Sequence, residues 1–189
     1  SARENEGGGH NRVLGPHFLW KRNDRDRLLG QLLISSTENP VRPDLHPQSG
    51  GQTFDGHAYR FVFTRDSKRY DIWAATTGYS PGFRADNGFV AQTGFRRVGL
   101  WPGLRFYPKR FFSYVRPYTG LEHDAGFEGG ETLRTGAYQG FEFQGKWGSN
   151  GWMTAGHVTE RVGSTLLTRD QLGFNLRRAP LRWVPAHQE

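Results

Sequence analysis

The chain has 189 residues, a formal charge of +7 and no cysteine. Without cysteine there are no disulfides, no thiolate zinc sites and no cysteine nucleophile. Aromatics reach 14% and glycines number 26, which favours strands, because aromatic side chains suit a pleated surface and each glycine costs a helix about 1 kcal/mol relative to alanine.

The basic balance, with a sequence pI near 10.0, fits an anionic lipid or an anionic solute. It does not fit nucleic acid, because the arginines are spread along the chain. The densest groups are Arg22–Arg27, which mixes signs, and the stretch from Asn175 to Trp183. No apolar run approaches the ~20 residues of a membrane helix, and a membrane barrel shows only weak alternation per strand. The chain opens on Ser1-Ala2-Arg3 with no initiator Met and no charged-then-apolar leader, and it reads as a mature protein or a piece of a larger one.

Residues 1–11 are polar and glycine-rich and read as a flexible segment. A β domain is expected over residues 12–184, and residues 185–189 form a tail. RVLGPHFLWKR and RLLGQLLISST read as a hairpin turning at Asn23-Asp24. Glu38–Gln52 holds three prolines and reads as a long loop, since proline cannot donate to a ladder. In the next strand His57, Tyr59, Phe61 and Phe63 share one face, and Ala58, Arg60, Val62 and Thr64 the other. The return strand runs from Tyr70 to Tyr79 with poorer alternation.

Two strands follow around a turn region expected at Pro102-Gly103 and Tyr107-Pro108-Lys109, then the loop AGFEGGET. RTGAYQGFEFQGKWG alternates most cleanly, with Phe141, Phe143 and Trp147 expected opposite Tyr138, Gly140, Glu142, Gln144 and Lys146. Asn150-Gly151 suits the positive φ of a hairpin turn. In the last strand Leu172, Phe174 and Leu176 alternate with Gln171, Gly173, Asn175 and Arg177.

The predicted fold is all-β: an antiparallel up-and-down β-barrel, or part of one, with about eight or nine strands. An aromatic-rich face opposite a polar face with Gln, Glu, Lys and Arg fits a lipid-facing surface around a water-filled lumen. The same alternation fits a soluble sandwich or lipocalin-like barrel with the apolar face inward. Pattern alone leaves both open.

Asp86-Asn87-Gly88 is a turn signal between Phe83 and Phe89. A loop folded back on its own barrel, held by Asp86–arginine contacts, is the expectation there. Arg96 and Arg97 fall on opposite sides of the following strand, so one of them points toward carboxylates on the inner face.

The stretch YSPGFRADNGFVAQTGFRRVG, with its Asp86-Asn87-Gly88-Phe89-Val90 core ahead of Arg96 and Arg97, resembles a segment of a bacterial outer-membrane barrel domain. That domain, of unknown function, follows a family 9-type carbohydrate-binding module. FFSYVRPYTG, GFEFQGKWGSNGWMTAG and RDQLGFNL resemble its last strands, and the likeness covers roughly Asn11 to Trp183. The resemblance implies the C-terminal part of a barrel in the bacterial outer membrane. It implies a non-enzymatic channel, anchoring or assembly role beside surface carbohydrate handling. Expected partners are membrane lipid, carbohydrate, and a protein or chain segment that supplies further strands. The alternatives are a soluble module for an anionic or carbohydrate ligand, or a structural subunit of a larger complex.

No catalytic, cofactor or metal site is expected. His10, His17, His46, His57, His123, His157 and His187 show no metal-ligand spacing. The acidic loop with Glu122, Asp124, Glu128 and Glu131 lacks calcium-loop spacing. Glycosidase chemistry needs two carboxylates roughly 5–9 Å apart, and Glu142 with Glu160 or Asp170 is the one candidate pairing. Six tryptophans offer sugar-stacking or interfacial surfaces. The candidates for ligand or lumen contact are Arg60, Arg96, Arg97, Glu142, Trp147 and Trp152.

Overall fold

The computed structural model describes residues 2–4, 8–40, 51–86, 90 and 92–177. Asn87, Gly88 and Phe89, the centre of the Asp86–Val90 motif, lie outside the described residues, as do Trp183, the prolines at 43 and 47, and the expected tail.

Among the described residues the chain is an antiparallel up-and-down sheet with no α-helix. The strands are β1 (Ala2–Glu4), β2 (His10–Leu14), β3 (His17–Lys21), β4 (Asp26–Glu38), β5 (Thr53–Asp66), β6 (Tyr70–Tyr79), β7 (Phe95–Leu104), β8 (Phe112–Gly126), β9 (Thr132–Gly145), β10 (Asn150–Val162) and β11 (Thr165–Arg177). The spatial order follows the chain, except that β2 and β3 share one edge of β4.

The eight or nine expected strands become eleven for two reasons. Gly15-Pro16 splits the first long strand, because Pro16 has no N–H to donate; its carbonyl still accepts from Leu32 N–H at 3.0 Å. The ladder also runs into the segment expected to be flexible, where Ala2–Glu4 pair with His10–Arg12. Among the described residues no pairing joins β1 to β11, so the sheet is open rather than a closed barrel.

The turns follow local chemistry. Asn23 Oδ1 accepts the N–H groups of Arg25 (2.8 Å) and Asp26 (2.7 Å) and turns β3 into β4. The β9–β10 turn falls earlier than the expected Asn150-Gly151, which lie inside β10. Trp147 (φ 57) and Gly148 (φ 65) hold the positive angles instead, and Ser149 N–H closes the turn on Lys146 O at 3.2 Å. Trp147 is therefore a turn residue and does not share the strand face of Phe141 and Phe143.

Strand connections alternate between two ends of the sheet. At one end the β3–β4, β5–β6, β7–β8 and β9–β10 turns are short. At the other lie the long β4–β5 and β6–β7 loops, followed by shorter β8–β9 and β10–β11 turns. The β7–β8 ladder lapses between Leu100↔Leu121 and Gly103↔Tyr118, where Pro102 removes a donor.

Candidate functional site

Because paired residues share a face, register divides the side chains into two sets. One face carries Leu28, Leu32 and Ile34 on β4, Tyr59, Phe61 and Phe63 on β5, and Val98, Leu100 and Leu104 on β7. It continues through Leu121 on β8, Phe141 and Phe143 on β9 and Met153 on β10 to Leu172, Phe174 and Leu176 on β11. Among the described residues Phe127, from the β8–β9 turn, packs against His57 and Tyr59 at the long-loop margin of this face, and much of the rest is exposed. Leu14 is 73% exposed, Ile34 61% and Phe174 74%. At ~60–120 Å² per fully exposed apolar side chain, its bare surface is on the order of 1,000 Å². The largest apolar patch on a soluble monomer is about 300–600 Å². The one polar pair in the middle is self-satisfied, with Thr119 Oγ1 and Gln139 Oε1 2.8 Å apart.

The opposite face is polar and internally paired. One ladder row runs through Arg60, Thr77, Arg97, Asp124, Arg134 and Glu160. Arg97 grips buried Asp124 with two hydrogen bonds of 2.7 and 2.6 Å, and Arg134 reaches Glu122 at 2.8 Å and the Tyr138 hydroxyl at 2.6 Å. Toward the short-turn end Asp71 takes Arg116 at 2.6 Å and Arg105 at 2.9 Å, Arg116 also reaches Glu142 at 3.1 Å, and Arg105 bonds Asp66. Arg105 lies in the turn beyond β7. Burial pulls its guanidinium pKa down, and the hydrogen bonds and charges of Asp66 and Asp71 more than reverse this, so it stays a cation. Between the two charged groups Trp101 stacks on Tyr138 at 5.3 Å. Glycines leave room for such flat-lying groups: a Cβ at Gly120 would run into the Trp101 ring.

Near the long-loop end the β6–β7 segment folds back onto the polar face. Phe83 is 2% exposed and packs with Val13 and Ala58, flanked by Leu33, Tyr79 and Ala85. Fully buried Asn11 ties the segment down: its amide donates to Thr37 Oγ1 (2.6 Å) and Arg84 O (3.2 Å), and its Oδ1 accepts Asp86 N–H (3.0 Å). The loop folds back as expected, but the anchor is Asn11. The Arg84–Asp86 contact, at 3.4 Å, is local to the loop. Asn11 carries no sequence signal, because its partners lie 26 to 75 positions away.

Of the candidate residues, Arg60, Arg97, Glu142 and Trp152 share the polar face, where Glu142 pairs with Trp152 in register. Arg96 is on the apolar face, opposite Gly78 and Ala125. Trp147 is in the turn at the short-turn end, 68% exposed and edge-on to Phe111 at 6.3 Å. The glycosidase pairing fails on geometry. Glu142 is opposite Trp152 while Glu160 is opposite Arg134, eight positions further along β10, roughly 25 Å at ~3.3 Å per residue. Asp170 is on the other face, bonded to His157 at 2.8 Å. Glu122 and Asp124 are strand residues held by arginines, and no group of three or more metal-binding side chains forms among the described residues. Compared with protein-family models, with curated proteins and with solved structures, the chain matches none.

Proposed function

We propose that this sheet is part of the wall of a membrane-spanning β-barrel of outer-membrane type, with its apolar face against lipid and its polar face lining the interior. The observation that carries the reading is the apolar face: it runs from β3 to β11, is largely exposed, and is backed by a polar face that carries the Arg97–Asp124, Arg134–Glu122 and Arg116–Asp71 ion pairs. In water such a face invites association, whereas in hydrocarbon it is the ordinary exterior of a barrel. Grooves of about 880 Å³, between Leu14, Ile34, Ser36 and His57, and of about 630 Å³, between Ala155, Leu172, His157 and Asp170, open on it at its polar margin.

Two further features support the reading. The two long loops, β4–β5 and β6–β7, lie at the same end of the sheet, as the longer extracellular loops of such barrels do. Exposed Phe106, Tyr107, Phe111 and Trp147 gather at the short-turn end, where an interfacial aromatic girdle would lie. In this reading the role is non-enzymatic: a channel, anchor or assembly element in the bacterial outer membrane, beside surface carbohydrate handling as the family resemblance implies. Lipid is the main partner, and strands from elsewhere complete the wall.

The test is extraction of the native protein with and without detergent, with boiled and unboiled samples compared on a denaturing gel. Dependence on detergent and a shifted unboiled band are expected. A monodisperse protein in plain buffer refutes the reading and favours a soluble module whose apolar face is buried against a partner.

A further inference from the structure

The apolar band does not run square across the strands. On the apolar face, leaving aside Thr76 on β6 and the mutually bonded pair Thr119–Gln139, the first polar residue toward the long-loop end is Ser36 on β4, His57 on β5, Arg96 on β7, His123 on β8, Thr135 on β9, His157 on β10 and Asp170 on β11. Followed back through the ladders to β4, these residues fall in different rows. His57 is level with Ile34 and Arg96 with Leu32. His123 is level with Gly30, and His157 and Asp170 are both level with Leu28. The boundary therefore descends about eight residues over about seven strand steps. At ~3.3 Å per residue and ~4.8 Å between strands this is a slope of roughly 38°. Among these residues the margin descends in one direction from β4 to β11, level between β8 and β9 and between β10 and β11, along the line on which a plane cuts a tilted sheet.

Resting on the membrane reading above, we infer that a planar lipid bilayer crosses the apolar face obliquely, bounded toward the long-loop end by the line from Ser36 to Asp170, so that the strands tilt roughly 38° from the membrane normal. Two arguments select lipid as the occupant. The slope falls within the ~35–45° tilt of membrane barrels, and it follows from pairing register and residue polarity alone. A second protein sheet would have no reason to respect a plane, whereas a bilayer has no other boundary.

The consequence is specific. Leu28, Phe63, Leu100, Ala137 and Asp170 occupy one hydrogen-bonded row, yet they lie at different depths. Leu28 sits near the boundary on the short-turn side, Leu100 near the bilayer centre and Asp170 among the headgroups of the other leaflet. Seven strand spacings of ~4.8 Å inclined at this angle separate Leu28 from Asp170 by roughly 20 Å of depth.

The chain has no cysteine, so L28C, L100C and D170C each place a single fluorescent label. The refolded full chain in phosphatidylcholine vesicles is then quenched with lipids carrying nitroxides at graded acyl positions. Deep quenching at position 100 and shallow quenching at 28 and 170 is the expected profile. Equal depth at all three overturns the oblique boundary and leaves the membrane reading standing. No acyl-chain quenching at any of the three overturns both. Polarised infrared dichroism of the unaltered chain in oriented bilayers reads the tilt without a substitution. A strand tilt within roughly 30–50°, bracketing the range of membrane barrels, supports the inference, and any tilt outside that range refutes it.

Discussion

Substituting L100R separates water from lipid on the apolar face in a single measurement. Leu100 lies mid-strand on β7 between Ala74 and Leu121 and is 39% exposed, with no carboxylate among its ladder partners. If that face met water, the guanidinium would be solvated and the change in stability would stay within about 0.5 kcal/mol. Against hydrocarbon, an arginine near the midplane costs about 2–4 kcal/mol, which is roughly 30- to 1,000-fold in the unfolding equilibrium. T168R is the control. Thr168 is on the same face of β11, one step beyond Asp170 toward the long-loop end, and arginine near the interface costs about 0–1 kcal/mol. The assay is guanidinium-driven unfolding in lipid vesicles followed by tryptophan fluorescence. An L100R stability within about 0.5 kcal/mol of the unaltered chain, the range of an ordinary surface substitution, refutes the lipid-facing assignment.

The other predictions address the polar face and the turns. Asn11→Ala removes its hydrogen bonds to Arg84 and Asp86 in the loop and to Thr37 on β4. It is expected to cost about 1–3 kcal/mol, and hydrogen exchange at Phe83 rises before the strands open. Asp71→Ala leaves Arg105 and Arg116 facing each other on a half-buried surface. A loss of about 1–3 kcal/mol is expected, partly recovered when Arg116 is also replaced, as a double-mutant cycle would read. Trp147→Gly relieves a left-handed backbone that disfavours side chains by about 1–2 kcal/mol. The variant is expected to unfold at higher denaturant while partitioning less well into vesicles, and unchanged partitioning would remove Trp147 from the interfacial girdle. Gly120→Leu drives a side chain into the Trp101 ring and is expected to cost about 1–3 kcal/mol.

Much of the architecture is legible in the sequence where a strand has one apolar face. The alternations of β5, β9 and β11 give the correct faces for Tyr59–Phe63, Phe141–Phe143 and Leu172–Leu176, because a period of two depends only on neighbours along the chain. The errors arise where a neighbour across the sheet or a turn decides. Gly15-Pro16 interrupts a strand that stays straight only because β4 pairs with both halves. The positive angles at Trp147-Gly148 pre-empt the stronger turn signal at Asn150-Gly151. The charged row is invisible to a linear reading, since bringing Arg60 level with Arg97, Arg134 and Glu160 needs the registers of six strands. The loop anchor is equally hidden, because Asn11 and Arg84 are 73 positions apart.

If the sheet is the barrel wall proposed above, strand direction sets a rule for anything that completes it. β2 and β3 run with β11, whereas β1 runs against it, since every pairing in the sheet is antiparallel. Among the described residues β11 pairs on one side only, which leaves a row of backbone donors and acceptors along Thr165–Arg177. In hydrocarbon each unpaired group costs several kcal/mol, so that edge cannot stay bare. For antiparallel pairing to continue from β11 round to β1, the number of inserted strands must be even or zero. A partner that contributes hairpins satisfies that count, and a partner that contributes one strand does not.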